Sequence, residues 1–529
     1  MLAKKSTNAL FILFLPAFSL SLSAQSWQRD SLYGTNGIGW ADASGAADQF
    51  NAQLLLPNGK MLVTYSAGSP SKSTLSLLTA DGLPDAAFGF TGKISQPNVV
   101  WSALAAQPDG EILAGGSLSY QINIPYSGIW RYLPDGTPDS TFGEAGMVKD
   151  VFASFPFQWI TNMIALPDGH ILVSGIAQEN PNEQNFRIAR LNADGSLDQS
   201  FGQSGFAGFA FTFDTYRFTH LAVQPDGKIL AGCNWQSLGH RNIALFRYRT
   251  DGTLDTGFGT GGKADTDFNF GDDYLTDILV YPDGKILASG GYSNKSTLRD
   301  VPAMVRYLPN GKPDLGFGQY GEVTLLDASL NSSFRAVRLM PDGYLLTVVT
   351  KSGSGSNVLS FLVKRYMPNG QADGSANSNT SVDDNWDVHL NGSGNFAWTP
   401  DNQLLYVSFP YAGNTTDKDI AVARYNFTGS LSGLPGHPAS SDLDIGLSPN
   451  PGRAGVALNA HSQTPVRGTV TITSATGKLV LSRPVEIDAG GQTQILFSEA
   501  ANWPGGIYFW RFAPKHGLPV SGQWIHLNQ

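Results

Sequence analysis

The sequence predicts an all-β chain: a seven-bladed β-propeller closed by an N-terminal strand, followed by a small C-terminal β-sandwich. Three observations predict this. A phrase of Pro, Asp or Asn, Gly, one variable residue and two apolar residues starts at Pro57, Pro108, Pro167, Pro225, Pro282, Pro341 and Pro400, at intervals of 51 to 59 residues, the last copy worn to Asp401-Asn402 in place of Asp-Gly. A near-constant period of this length marks a modular array. A second phrase, Asp/Asn-Gly-x-x-Asp-x-x-Phe-Gly-x-x-Gly, runs in phase with it from Asp81, Asp135, Asp194, Asp251 and Asn310. A sixth copy, from Asn369, has lost its Phe-Gly half, and a seventh, from Thr428, stops before its Asp. The missing tail stands at the other end of the chain, where Asp30 to Gly37 reads Asp-x-x-aromatic-Gly-x-x-Gly. A ring in which the first strand completes the last blade explains this complementarity and leaves no free sheet edge.

Each repeat supplies four strands. In the fourth copy, Phe218–Gln224 alternates as a strand, Pro225-Asp226-Gly227 turns, and Lys228–Gly232 is a second strand. After a variable stretch, Asn242–Tyr248 is a third, Asp251-Gly252 turns again, and an excursion leads to a fourth from Lys263. No segment keeps a 3.6-residue apolar period, so helical repeats are excluded. The Phe of Phe-Gly reads as a packing anchor and its Gly as a residue in a conformation closed to larger side chains. An Arg stands four positions before the second turn in six copies (Arg131, Arg190, Arg247, Arg306, Arg365 and Arg424), with Leu77 in the first. The Asp of Asp-x-x-Phe is its expected partner, in a structural role.

Composition narrows the function. The 529 residues include 60 Gly and 30 Pro, with 11% aromatic and 15% charged residues and a net charge of −9. That is a turn-rich β composition. It excludes a nucleic-acid partner, which needs clustered Lys and Arg. Cys233 stands alone, so no intrachain disulfide forms, and its apolar strand context makes it a buried, inert thiol. Lys4-Lys5 followed by the apolar Leu10–Phe18 reads as a signal peptide over 1–24, cleaved before Gln25, and no later segment is long and apolar enough to span a membrane. The mature protein is expected outside the cytoplasm.

The search for chemistry finds little. Gly257–Lys263 has Walker A spacing, but Ala264 stands where Ser or Thr should hold magnesium and no helix follows. The eight His have no ligand-like spacing, and neither a metal nor another cofactor is expected. No residue is assigned as catalytic. Two connections per blade are stereotyped turns, while the other two vary and lie at the opposite end. The variable end is therefore the expected functional face. Its loops carry Tyr126, Phe155, Phe157, Trp159, Tyr216, Trp235, Tyr274 and Trp386, with Asp272 and Asp273 in a local acidic cluster with Asp265 and Asp267. The sequence points to a binding surface for a glycan or a protein. The alternative is a polysaccharide-active enzyme using Asp272 or Asp273, which would need two converging carboxylates.

Pro225–Leu230 with Asp251–Gly259, and Pro282–Leu287 with Asp194–Gly202, resemble the delta-60 repeat family. The resemblance covers roughly residues 27–432 of the propeller expected over 25–432, implies an exported repeat array and implies no particular chemistry. A Pro-, Gly- and Ser-rich linker, 433–443, follows. Residues 444–529 then change character, with short strands at Gly468–Thr473, from Leu479, at Gly505–Arg511 and at Trp524–Leu527. Ser448-Pro-Asn-Pro451, the Gly477-Lys478 turn and Gly506-Ile-Tyr508 resemble the type A sorting domain of bacterial type IX secretion, with Gln523 and His526 where a Lys is usual. That resemblance implies a Bacteroidetes-type source, type IX machinery as a partner, and release outside the cell or tethering at its surface.

Overall fold

A computed structural model describes residues 26–41, 48–67, 72–120, 124–152, 157–180, 183–212, 218–237, 239–297, 299–326, 332–340, 342–350, 358–374, 379–385, 389–390, 395–399, 403–408, 410–411, 420–428, 443–448, 456–462, 465–474, 479–488, 492–497, 506–514 and 520–526, with the single residues 155, 500 and 503. The expected signal peptide, 1–24, and the expected linker, apart from Leu443, fall outside these residues. Within them no helix is long and apolar enough to cross a membrane.

Residues 26–428 form seven antiparallel blades in a ring, with a further two-stranded sheet of His389–Leu390 and Pro410–Tyr411. Blade four is representative: Phe218–Val223, Ile229–Ser237, His240–Tyr248 and Lys263–Thr266 pair in sequence order, from the axis outwards. Blades one to six share this order. Blade seven takes its outer strand from the other end of the chain. Ser26–Arg29 and Ile38–Ala41 both pair with Ile420–Thr428, with Gln28 opposite Asn426 and Gly39 opposite Val422. The N-terminal fragment thus completes the last blade, as the sequence arithmetic requires.

The second phrase fastens each blade to the next. In blade two, Arg131 Nε donates to Asp139 Oδ2 at 2.8 Å, its Nη1 donates to the Ala193 carbonyl of blade three at 2.5 Å, and its guanidinium lies 4.7 Å from the Phe142 ring centroid. The Gly143 N–H bonds the Asp194 carbonyl of blade three at 2.8 Å. Arg190, Arg247 and Arg306 repeat the arrangement on Asp198, Asp255 and Asp314, over Phe201, Phe258 and Phe317. The closing joint uses the same parts: Arg424 binds Asp30, stacks on Tyr33 at 4.8 Å, and reaches the Ala80 carbonyl of blade one at 2.8 Å. Where blade one has Leu77 instead of Arg, Lys60 supplies the charge, 2.6 Å from Asp85.

The Gly at the start of each second phrase is required twice. Gly136 has φ +85°, and a Cβ there would stand 2.7 Å from the Gly89 nitrogen and 3.1 Å from the Phe88 ring of the preceding blade. Copy six lacks the Phe-Gly half of the phrase. At the joint of blades six and seven Trp27 of the closing strand is buried instead, in one cluster with Phe361 and Val363 of blade six and Phe396 and Tyr406 of blade seven.

Nearer the axis, the inner strands of six blades share a bulge, at Asn51, Ser102, Thr161, Thr219, Thr276 and Arg335. Ser102 Oγ and Thr276 Oγ1 use it to reach the Ile160 and Phe334 carbonyls of the following blades, at 2.6 and 2.7 Å.

Beyond the ring, Leu443–Ser448, Val456–Ser462 and Gln492–Phe497 form one sheet. Leu479–Ile487, Val466–Ser474, Gly506–Pro514 and Val520–His526 form a second. Leu458, Val470, Ile487, Phe497 and Phe512 share a single core between them.

Candidate functional site

The tight turns end the first and third strands of blades one to six, so the connections that vary lie together at the other end of the ring. The junction of blades four and five at that end gathers the local acidic residues. Strand alternation separates the two adjacent carboxylates. Asp272 accepts the Arg241 N–H at 3.0 Å, and the Arg241 Nε lies 3.6 Å away. Burial pulls its pKa up, but the Arg241 N–H and guanidinium, with Lys295 beyond, outweigh that and hold it below the usual carboxylate value. Asp273 points into the blade and is 1% exposed, and its Oδ2 accepts the Phe268 N–H at 3.0 Å. Burial, with the charges of Asp267 and Glu322 behind it, pushes Asp273 up to about 8. It is therefore a neutral capping group at pH 7. One carboxylate is paired in an ion pair and the other is enclosed, so Asp272 and Asp273 do not form the converging acid pair that the polysaccharide-active alternative needs.

The other predicted residues divide. Trp235 belongs to the packing between blades: it is half-buried, stands edge-on to Phe246 at 5.5 Å and to Phe209 at 6.1 Å, and carries the Lys263 ammonium 5.1 Å from its ring. Tyr274 is half-buried with its hydroxyl turned inward, and burial and Asp300 raise its pKa. Trp159 is 38% exposed and stacks on Phe157 at 6.4 Å with 12° between planes. Tyr126 is 39% exposed, on a strand tied to that of Trp159 by the Ser127 to Gln158 hydrogen bond of 2.5 Å. Phe155 lies under the Arg187 guanidinium at 5.1 Å. Tyr216 and Trp386 lie outside the described residues. Cys233 is fully buried in the core, and burial raises its thiol well above the ordinary value.

Two residues that sequence reasoning missed, His240 and Phe270, stand at the same junction with Asp267 of the acidic cluster. His240 is buried, its Nε2 is 2.9 Å from Asp267 Oδ2, and its ring meets that of Phe270 at 6.0 Å and 80°. Asp267 also accepts the Phe270 N–H at 2.9 Å through Oδ1. Phe270 is 71% exposed. The only sequence signal for it was an aromatic between Asn269 and Gly271 in a loop outside both repeated phrases.

A cavity of about 1820 Å³ opens at the opposite, tight-turn end, lined by inner-strand residues such as Ile164, Val223, Leu279 and Leu339. Its rim carboxylates Asp168, Asp226 and Asp283 are paired within their own turns with His170, Lys228 and Lys285. Among the described residues, no group of three or more His, Cys, Asp or Glu side chains could hold a metal ion.

Residues 107–142, 166–201, 224–258 and 282–317 match the model of a family described as a domain of unknown function (DUF5122) beta-propeller. No curated protein matches the chain. Similar solved structures include the acylaminoacyl peptidase of Pyrococcus horikoshii, at 9% identity over 80% of this chain and 60% of that one, with a TM-score of 0.38. Prolyl oligopeptidase B from Galerina marginata is similar at 13% identity over 79% and 56%, with a TM-score of 0.41. The polysaccharide lyase Uly1 is similar at 11% identity over 74% and 93%, with a TM-score of 0.41. The chain thus spans 60% and 56% of the two peptidases. The ring is a seven-bladed β-propeller, and the four stretches similar to the DUF5122 model fall in its second to fifth blades.

Proposed function

We propose that this chain is an exported, non-enzymatic binding protein that takes a glycan or protein ligand on the variable end of its ring. One observation carries the reading. The polar residues common to the repeats are occupied in joining blades at the tight-turn end, whereas the variable end presents exposed aromatics, among them Tyr126 and Trp159, in loops that the repeat does not dictate. The separation of Asp272 from Asp273 supports binding over hydrolysis or elimination. The full chain on an array of neutral and acidic glycans tests the ligand. Binding weakened by substitutions on the variable end supports the reading. Binding weakened only by substitutions at the tight-turn end overturns it.

The second half of the proposal is the address. Lys4-Lys5 with the apolar Leu10–Phe18 supports export, and Ser448–Pro451 with Gly506–Tyr508 supports a sorting role for residues 444–529 in type IX secretion, ending outside the cell or on its outer surface. In a bacterium with that machinery, the full chain should reach the surface or medium and a chain lacking 444–529 should stay in the periplasm. Equal export of both would remove this half of the proposal.

A further inference from the structure

We infer that Phe270 is the stacking platform for a neutral pyranose, at the junction of blades four and five. This rests on the binding function proposed above and adds the residue and the ligand class. Asn269 and Phe270 are consecutive non-glycine residues with φ of +57° and +54°. Left-handed backbone costs a bulky residue energy and persists where the surroundings over-determine it. Here they do. Asp273 holds the Phe268 N–H, Asp267 holds the Phe270 N–H, and the Gly271 N–H bonds the Phe268 carbonyl at 3.2 Å. His240 fixes Asp267 and stands edge-on to the Phe270 ring. Four hydrogen bonds and a ring contact thus hold a large apolar side chain in water. A loop under no demand for exposure would turn that ring inward.

The surroundings select the ligand. The face of an aromatic ring carries partial negative charge, and the C–H face of a pyranose carries partial positive charge against it. Asp272 and Arg241, about 40% exposed as side chains and paired with each other, offer planar donors and acceptors at the same junction, suited to the hydroxyls at the sugar's rim. Charge disfavours acidic sugars: Lys263 and Arg241 are already paired with Asp265 and Asp272, and the buried His240 with Asp267, with Lys295 the further cation near Asp272. A uronate or sulfated sugar would meet carboxylates. A neutral one meets none of that repulsion.

Isothermal titration of the full chain with cellohexaose, mannohexaose and xylohexaose, and with hexagalacturonate as the acidic probe, tests this. At least one neutral oligosaccharide should bind, with the uronate weaker by about tenfold or more. Phe270→Ala should weaken the neutral ligand by about tenfold or more with the melting temperature unchanged, and Phe270→Trp should retain binding. If Trp159→Ala abolishes binding and Phe270→Ala does not, the platform is wrong and the broader function stands. Tighter binding of the uronate overturns the ligand class. If none of the probes binds while a protein ligand is captured on the variable end, the sugar inference falls alone.

Discussion

Arg424 and Asp30, 394 residues apart in sequence, make the same guanidinium–carboxylate pair that Arg190 and Asp198 make eight residues apart. At the closing joint the Arg424 Nη2 stands 2.6 Å from Asp30 Oδ2, and both side chains are largely buried. Removing one partner of a buried pair leaves the other charge unmatched, at about 3 kcal/mol. Asp30→Ala should therefore lower chemical-denaturant stability by about that amount. Exchanging the pair for Leu and Ala should cost less than either single change, as a double-mutant cycle would read out.

The repeated guanidinium–carboxylate pairs predict acid lability. The Ser200 hydroxyl first, then the Ser200 N–H and Arg190 against partial burial, hold Asp198 down at about 2. A depressed carboxylate contributes stability above its unfolded pKa of about 3.9 and loses it as pH falls through the folded value. Thermal melts should therefore drop between pH 4 and 2. Asp198→Asn should be less stable than the parent at pH 6, with the difference shrinking towards pH 2.

Asp273 has the opposite sign. Its raised pKa means that its contribution is full below the unfolded value and is lost progressively as pH rises to about 8. Asp273→Asn should match the parent near pH 4 and exceed it at pH 8, in paired melts at the two pH values. A parent that gains stability between pH 5 and 8 relative to the variant would contradict the buried, neutral assignment.

The turn glycines separate backbone strain from close approach. Gly239 has φ +88° with open space around its Cβ position, whereas Gly136, at φ +85°, touches the preceding blade. Gly239→Ala should cost about 1–2 kcal/mol for the left-handed conformation alone. Gly136→Ala should cost more, because it also displaces the Gly89 N–H from the Asp135 carbonyl, 2.7 Å away. Equal losses in denaturant melts would show that the joint tolerates a methyl group.

The joint between blades six and seven lacks the Phe-Gly bolt and relies on Trp27. Trp27→Ala should cost about 3–5 kcal/mol and speed amide exchange in Asn379–Asn385 ahead of the middle blades. Uniform exchange acceleration around the ring would argue against a local seam.

What could be read from the sequence follows from repetition. Arg131 and Asp139, or Phe142 and Gly143, recur in register, so each copy confirms the others and their shared physical role becomes visible. Asp30 was readable for the same reason, as a missing member of a known set. Phe270, His240 and Asp267 occur once, in connections that no copy duplicates, and the contact between a hairpin of blade four and the loop that follows it depends on how the blade folds. Asp272 and Asp273 looked alike in sequence. Only strand alternation, with the register fixed, sends one to Arg241 and the other into the blade. Trp235 looked like a surface aromatic, but the bulky Phe209 and Phe246 opposite it gave it a place between sheets.

Ring closure by the N-terminal strand underlies all of this, and one cross-link tests it most directly. Cys233 is buried, so cysteines placed at Gln28 and Asn426, opposite one another in the closing strand pair, are the only accessible thiols in the variant. Facing positions in an antiparallel pair lie within disulfide reach. Mild oxidation of the Gln28→Cys, Asn426→Cys chain should give a single intramolecular disulfide and a higher melting temperature that reductant reverses. Two thiols that stay free under the same oxidation, each labelled as fast as in the denatured chain, would contradict the closed ring.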